Sequence, residues 1–230
     1  MIITIENAVK DYGSTRVLDI EKLQIKEGIY VILGSNGSGK STLLSIISGL
    51  YQLSSGNILY DGKEFNNTTR NSISILVQKP YLFRTTSYEN IVSGLKFKKV
   101  NYEETKLRIK KYMRYFDVEP LLNKKSNWLS GGERAKIALL RTAVLETEVT
   151  MLDEPTSAMD IESSIKAEKL IKDMAAGGRT VIMVTHDVYQ AKRIADYVIF
   201  MDKGKIIEMG QKDTVLKNPS NDLVKQILNI

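Results

Sequence analysis

The chain has 230 residues, 43% hydrophobic and 26% charged, with no cysteine and a formal net charge of +6. That length suits one α/β domain, or a domain with a subdomain, and the composition excludes disorder, disulfides and thiolate metal sites. No apolar run approaches the roughly 20 residues needed to span a bilayer, the first six residues lack the basic start and cleavage site of a signal peptide, and the basic excess reads as a solvated surface with cations near an anion site.

In chain order, two β-rich runs open the sequence, residues 2–9 and 16–25, with a turn at Asp11-Tyr12-Gly13-Ser14. An apolar run at 29–33 leads into Gly34-Ser35-Asn36-Gly37-Ser38-Gly39-Lys40-Ser41-Thr42 and then Leu43-Leu44-Ser45-Ile46-Ile47. This is strand, glycine-rich turn, helix, and the spacing of Gly34, Gly39, Lys40 and Ser41 is that of a phosphate-binding loop. Its glycines let the backbone wrap a polyphosphate with successive N–H groups pointing inward, and the helix starting near Lys40 adds its positive end. Lys40 reaches β- and γ-phosphates, and the Ser41 hydroxyl suits a Mg²⁺ coordination position.

Strand candidates follow at 57–60 and 72–77. From 77 to 149 the pattern is helical. Asn101 is a good N-cap with Glu103 and Glu104 in the first turn, and Leu107, Ile109, Met113 and Phe116 supply apolar positions. Lys106, Arg108, Lys110, Lys111 and Arg114 read as a wet face. Leu129-Ser130-Gly131-Gly132-Glu133 opens a helix expected to run from about 132 to 145. Unhindered N–H groups at Gly131 and Gly132, with the Ser130 hydroxyl, make a second anion-binding surface; an ordinary N-cap would use the same residues.

A strand at 149–152 ends in Asp153-Glu154-Pro155. Side chains alternate along a strand, so the two carboxylates serve different atoms. Asp153 suits Mg²⁺ through water, and Glu154 suits a general base for a water beside a γ-phosphate. Further strands at 179–185 and 197–201, a hairpin turn at Asp202-Lys203-Gly204 into 205–209, and one or two short helices in 214–230 complete the chain. His186, the one histidine, directly follows a core strand.

With these segments in place, the chain strongly resembles the nucleotide-binding subunit of ABC transporters, whose signature is LSGGQ or a close variant; here Glu133 stands for the glutamine. The resemblance covers nearly the whole chain. It implies an α/β fold of the ABC ATPase type: a P-loop NTPase (RecA-like) core, about 1–87 and 148–230, with an antiparallel β subdomain and a helical insertion at about 88–147. It implies ATP and Mg²⁺, with Tyr12 stacking on adenine, Gln78 as the Q-loop amide beside Asp153 and Ser41 at the metal, and His186 on the γ-phosphate. Ser157-Ala158-Met159-Asp160 matches the D-loop and puts Asp160 at the nucleotide; on the residues alone, Asp160 could as well cap the next helix, Gln78 end a strand, and Tyr12 sit in a turn. In the family two subunits pair head to tail, so Ser130, Gly131 and Gly132 of one chain would close over the ATP of the other.

The implied partners are a second copy or a similar ATPase chain, separate membrane-spanning permease subunits, and an extracytoplasmic solute-binding protein. The segment Lys79-Pro80-Tyr81-Leu82-Phe83 and the helical insertion are the expected docking region. The location expected is the cytoplasmic face of the cell membrane, and nucleic acid is not an expected partner. Residues 78–97 are similar to subunits of oxyanion importers of the tungstate and phosphate kind. The other reading is a soluble ABC ATPase in iron–sulfur assembly or nucleic-acid work.

Overall fold

A computed structural model describes residues 1–229. β1 (Ile3–Tyr12) and β2 (Thr15–Ile25) form a hairpin, and β3 (Gly28–Gly34) feeds α1 (Lys40–Ile47). β4 (Ser55–Tyr60), α2 (Asn67–Ser72) and β5 (Ile73–Leu76) follow, then the helices α3 (Ser87–Phe97), α4 (Tyr102–Met113) and α5 (Gly131–Ala143). The chain continues through β6 (Val149–Asp153), α6 (Ile161–Ala175), β7 (Thr180–Val184) and α7 (Val188–Ile194). It ends with β8 (Tyr197–Asp202), β9 (Lys205–Gln211), α8 (Lys212–Lys217) and α9 (Asp222–Leu228). The expected tail helices are thus α8 and α9, with residue 230 outside the described residues.

These elements form two compact units. The first comprises residues 1–75, 147–153 and 175 onward, and the second 76–146 and 154–174. In the first unit, one sheet has the order β2-β1-β4, antiparallel throughout, and the other the order β5-β6-β7-β3-β8-β9. β6, β7, β3 and β8 run parallel and β9 pairs antiparallel with β8. Every residue of β6 and β7 is buried, as parallel strands covered on both faces require, and this is why they are apolar on both faces at Met151-Leu152 and along residues 181–184 rather than alternating. Ile3, Ile5 and Ile20 from the antiparallel sheet share one core cluster with Leu43, Leu44 and Ile47 of α1 and with Ile32, Met151 and Ile182 of the parallel sheet. The antiparallel sheet and the strand–loop–helix are thereby welded into one body.

The β1–β2 hairpin is tighter than the sequence suggests. Tyr12 pairs with Thr15, so Asp11 and Tyr12 are strand and only Gly13 and Ser14 turn. A bulge between Lys10 and Asp11 absorbs the change of register, and Gly13, at φ +58, makes the reversal.

The second unit holds α3 to α6. Asn101 caps α4 as expected, accepting the Glu104 N–H at 2.9 Å, and Thr86 caps α3 by accepting from Glu89. One apolar expectation fails: Leu107 is 64% exposed, while Ile109, Tyr112 and Phe116 are buried. Those three recur at helical spacing, and Leu107 lies about 200° around the helix from Ile109. Glu146, at φ +48, ties the unit together. Its carboxylate accepts from Lys111 Nζ at 2.7 Å and the Tyr112 hydroxyl at 2.9 Å. Burial pushes that carboxyl up, but the Lys111 and Tyr112 hydrogen bonds outweigh it and hold it below its usual range.

Candidate functional site

In the first unit, the parallel strands deliver their ends to one edge. Register aligns Ile32 of β3 with Val184 of β7, and Val184 with Asp153 of β6. The phosphate loop starts two residues beyond Ile32, and His186 stands two beyond Val184. The loop, Asp153 and His186 therefore share the carboxyl edge of the sheet, where open α/β sheets bind ligands.

The loop is shaped by contacts that only glycine permits. Gly34 has φ +147, and a Cβ there would lie 2.1 Å from the Met201 carbonyl oxygen. Gly39 has φ +99, and a Cβ would lie 2.8 Å from the Val17 oxygen. The Gly204 N–H, in the β8–β9 turn, donates to the Ser38 oxygen at 3.0 Å, and the Asp19 N–H donates to the Gly204 oxygen at 2.9 Å. Gly37, at φ +79, faces open space. Gly34→Ala should lower unfolding free energy by about 3 kcal/mol or more, since backbone must shift to admit the methyl; the midpoint of urea unfolding checks this.

Lys40 is 8% exposed. Its ammonium donates to the Gly34 oxygen at 2.9 Å and the Ser35 oxygen at 2.7 Å, with Ser38 Oγ at 3.4 Å. The cation is thus fixed at the heart of the loop, and Ser41 is exposed beside it on the first turn of α1. Asp153 is 7% exposed at the end of β6. Among the described residues no group of three or more His, Asp and Glu side chains could hold a metal. A single carboxylate at the sheet edge that also carries the loop of Ser41 suits Mg²⁺, which takes its remaining positions from water and substrate phosphates.

Tyr12, 48% exposed, sits at the tip of the hairpin whose other strand packs on Gly39 through Val17 and Leu18. Lys10 Nζ lies 5.0 Å from its ring centroid, over one face, a contact that no local motif announces.

In the second unit, Gln78 is exposed just past β5, which ends at Leu76, one residue short of the expected strand end. Ser130, Gly131 and Gly132 open α5 in a capping box: Ser130 Oγ accepts the Glu133 N–H at 3.2 Å, and the Glu133 carboxylate accepts the Ser130 N–H at 2.6 Å. A Cβ on Gly132 would meet the Ala158 oxygen at 3.1 Å, while Gly131 faces open space. The signature helix and the 157–160 loop are therefore in contact.

Glu154 has φ +50, a left-handed backbone that costs a non-glycine residue about 1–2 kcal/mol. The Ser157 N–H and hydroxyl both donate to its carbonyl oxygen, at 3.2 and 3.0 Å, and hold the turn. Such strain clusters at working sites. Asp160 accepts the Ser163 N–H at 2.7 Å and the Ser163 hydroxyl at 2.9 Å. It caps α6, the bland alternative its sequence position offered, and the Ser163 N–H holds its carboxyl below the usual range.

The expected docking segment is only partly a surface. Leu82 is 3% exposed and belongs to the core, while Tyr81 and Phe83 are exposed with their rings edge to face. The cause is an extended backbone pinned by the buried Asn90, whose amide accepts the Phe83 N–H at 2.8 Å and donates to the Phe83 oxygen at 3.0 Å. Alternation along an extended segment then sends Leu82 inward. Arg141 donates to the Tyr81 oxygen at 2.9 Å and lies 5.9 Å over the Phe83 ring.

Comparison with known proteins places these features in context. Residues 18–157 match the ABC transporter family. The tungstate uptake system ATP-binding protein TupC of Peptoclostridium acidaminophilum is 36% identical over 90% of this chain and 98% of its own length. The glutamine transport ATP-binding protein GlnQ of Escherichia coli is 33% identical over 99% of this chain and 98% of its own. Among solved structures, the dimeric bacterial ABC transporter cassette MJ0796 superposes with a TM-score of 0.83 at 28% identity, covering 91% of this chain and 98% of that one. The same cassette is known as a post-hydrolysis dimer bound to ADP and phosphate.

Proposed function

This chain belongs to the ABC transporter family, and from that membership we propose that it is the ATP-hydrolysing subunit of an importer, driving a small solute through separate membrane-spanning subunits. The carrying observation is the glycine-built loop with buried Lys40, at the same sheet edge as Asp153 and His186. The matches to TupC and GlnQ along nearly their full lengths support a transport role over a soluble ATPase, and the match to TupC, an uptake-system subunit, supports import.

The residues divide the work. Backbone N–H groups from Gly34 to Thr42 and the Lys40 ammonium bind phosphates, and Tyr12 offers its ring to adenine. Ser41, Gln78 and Asp153 would hold Mg²⁺. When bound, the ion spreads the charge developing on β- and γ-phosphate oxygens. Glu154 takes a proton from water, and His186 steadies the γ-phosphate.

Ser130, Gly131 and Gly132 act on the nucleotide of a second chain, in a head-to-tail pair for which the MJ0796 dimer is the supporting precedent. The Ser130 hydroxyl, which accepts the Glu133 N–H, would turn its own hydrogen from the Glu133 carboxylate to a phosphate oxygen when the pair closes. Asp160, two residues on from the Ala158 carbonyl that meets Gly132, would support that surface. Tyr81 and Phe83 are the permease contacts. The likeness to TupC favours an oxyanion such as tungstate, delivered by an extracytoplasmic binding protein, with this chain on the cytoplasmic face.

The test is MgATP hydrolysis by the purified chain, and its stimulation in the reconstituted transporter by an oxyanion-loaded binding protein. Absence of hydrolysis in the assembled complex would sink the proposal. A narrower expectation concerns docking: Phe83→Ser should leave ATP turnover by the isolated chain unchanged and weaken permease association about tenfold or more, as removal of an aromatic anchor does. Equal recovery of variant and parent with detergent-solubilised permease would count against this surface.

A further inference from the structure

The signature of this chain carries a glutamate where the family pattern has glutamine, at a helix start that is expected to receive an anion. A carboxylate there is a contradiction unless its charge is cancelled. Lys124 supplies the cancellation: its ammonium lies 3.2 Å from one Glu133 oxygen and 3.3 Å from the other. The two side chains are 34% and 25% exposed, so the pair is partly withdrawn from water. The Lys124 backbone is fixed on its own account. Its carbonyl accepts the Ser87 N–H at 3.0 Å and the Ser87 hydroxyl at 3.2 Å, and its N–H donates to the Leu121 oxygen at 2.9 Å. The ammonium is therefore presented from a rigid loop rather than from a wandering stem.

We infer that Lys124 is a positioning residue of the signature surface, locking the Glu133 carboxylate into the capping box and neutralising it so that Ser130, Gly131 and Gly132 can meet a phosphate. The inference rests on the proposed action of those three residues on a partner's nucleotide. The Ser130 N–H and, after it, the Lys124 ammonium hold the Glu133 carboxyl below its usual range against partial burial, so the group is ionised at neutral pH and its charge must be met. A glutamine would close the same box through its amide oxygen with no charge to cancel. Lys124 is thus needed because residue 133 is a glutamate, and that dependence separates its role from simple packing.

The experiment is a two-by-two comparison of Lys124→Ala in the parent and in the Glu133→Gln background. The readouts are turnover and, with Glu154→Gln added throughout, the MgATP concentration for half-maximal dimerisation by analytical ultracentrifugation. In the parent, Lys124→Ala should raise that concentration about five- to tenfold, the scale of one uncompensated charge near a polyphosphate. In the Glu133→Gln background the same substitution should change it less than about twofold, and Lys124→Arg should retain parent behaviour. Equal losses in both backgrounds, or unfolding of Lys124→Ala in both, would overturn the assignment by making Lys124 merely structural. A parent that never dimerises with MgATP would overturn the pairing itself, which is a distinguishable result.

Discussion

Replacing Glu154 by glutamine should cut ATP hydrolysis by on the order of 10²–10⁴-fold and, at the same time, let an ATP-bound dimer accumulate. The amide keeps the shape of the side chain, and Ser157 braces the φ +50 turn at Glu154 through the carbonyl oxygen, which the substitution leaves in place. On the proposed assignment, what is lost is the base, and with it a negative charge beside the γ-phosphate, so the ATP-bound state is relieved of repulsion. Both effects favour the closed pair. Adding Ser130→Arg should abolish the pair, because it removes the capping hydroxyl of α5 and sets a bulky side chain over the exposed signature surface. Size-exclusion chromatography with and without MgATP reads both outcomes. A Glu154→Gln chain that stays monomeric at concentrations well above its nucleotide dissociation constant would refute head-to-tail closure by the isolated subunit.

Lys40→Ala should weaken ATP binding at least tenfold and nearly abolish turnover. A hydrogen bond to a charged group contributes about 1.5–3 kcal/mol, and Lys40 is the cation that the loop itself presents, anchored on the Gly34 and Ser35 carbonyl oxygens. Its loss removes that charge from a nearly buried position, where water replaces it poorly. Fluorescent-nucleotide titration and steady-state phosphate release test the two halves separately. Near-normal hydrolysis by the folded variant would remove Lys40 from the phosphate site.

The parts of this protein that were legible in its sequence are those whose chemistry is written within a few neighbouring residues. Gly34 to Thr42, Asp153-Glu154 and Ser130 to Glu133 each carry their geometry in local spacing, and the short, mostly apolar runs that became β6 and β7 point to burial on both faces. What stayed hidden depends on pairs of residues that no local spacing rule links. Lys124 lies nine positions from Glu133, with no periodic signal linking them, and Asn90 clamps Phe83 from a helix that offers no hint of it. Leu82 looked like half of an apolar surface because two adjacent apolar residues do not reveal which one points inward. Leu107 fitted a helical pattern but not the stripe that α4 buries. The left-handed backbone at Glu154 had no sequence signal at all, since that conformation ordinarily belongs to glycine.

The close approach of Val17, Gly39 and Gly204 has a bearing on how the protein is made. The loop reads as nine contiguous residues, yet its walls come from distant segments: β2, upstream of it, and the β8–β9 turn, more than 160 residues downstream. Such long-range closure is slow relative to local structure. A ribosome that has released only the first half of this polypeptide has already produced every residue of the loop, but not the turn whose Gly204 N–H braces Ser38. The loop is consequently braced only after residue 204 has been made, and a chain stalled or clipped ahead of that turn would display the motif without its brace.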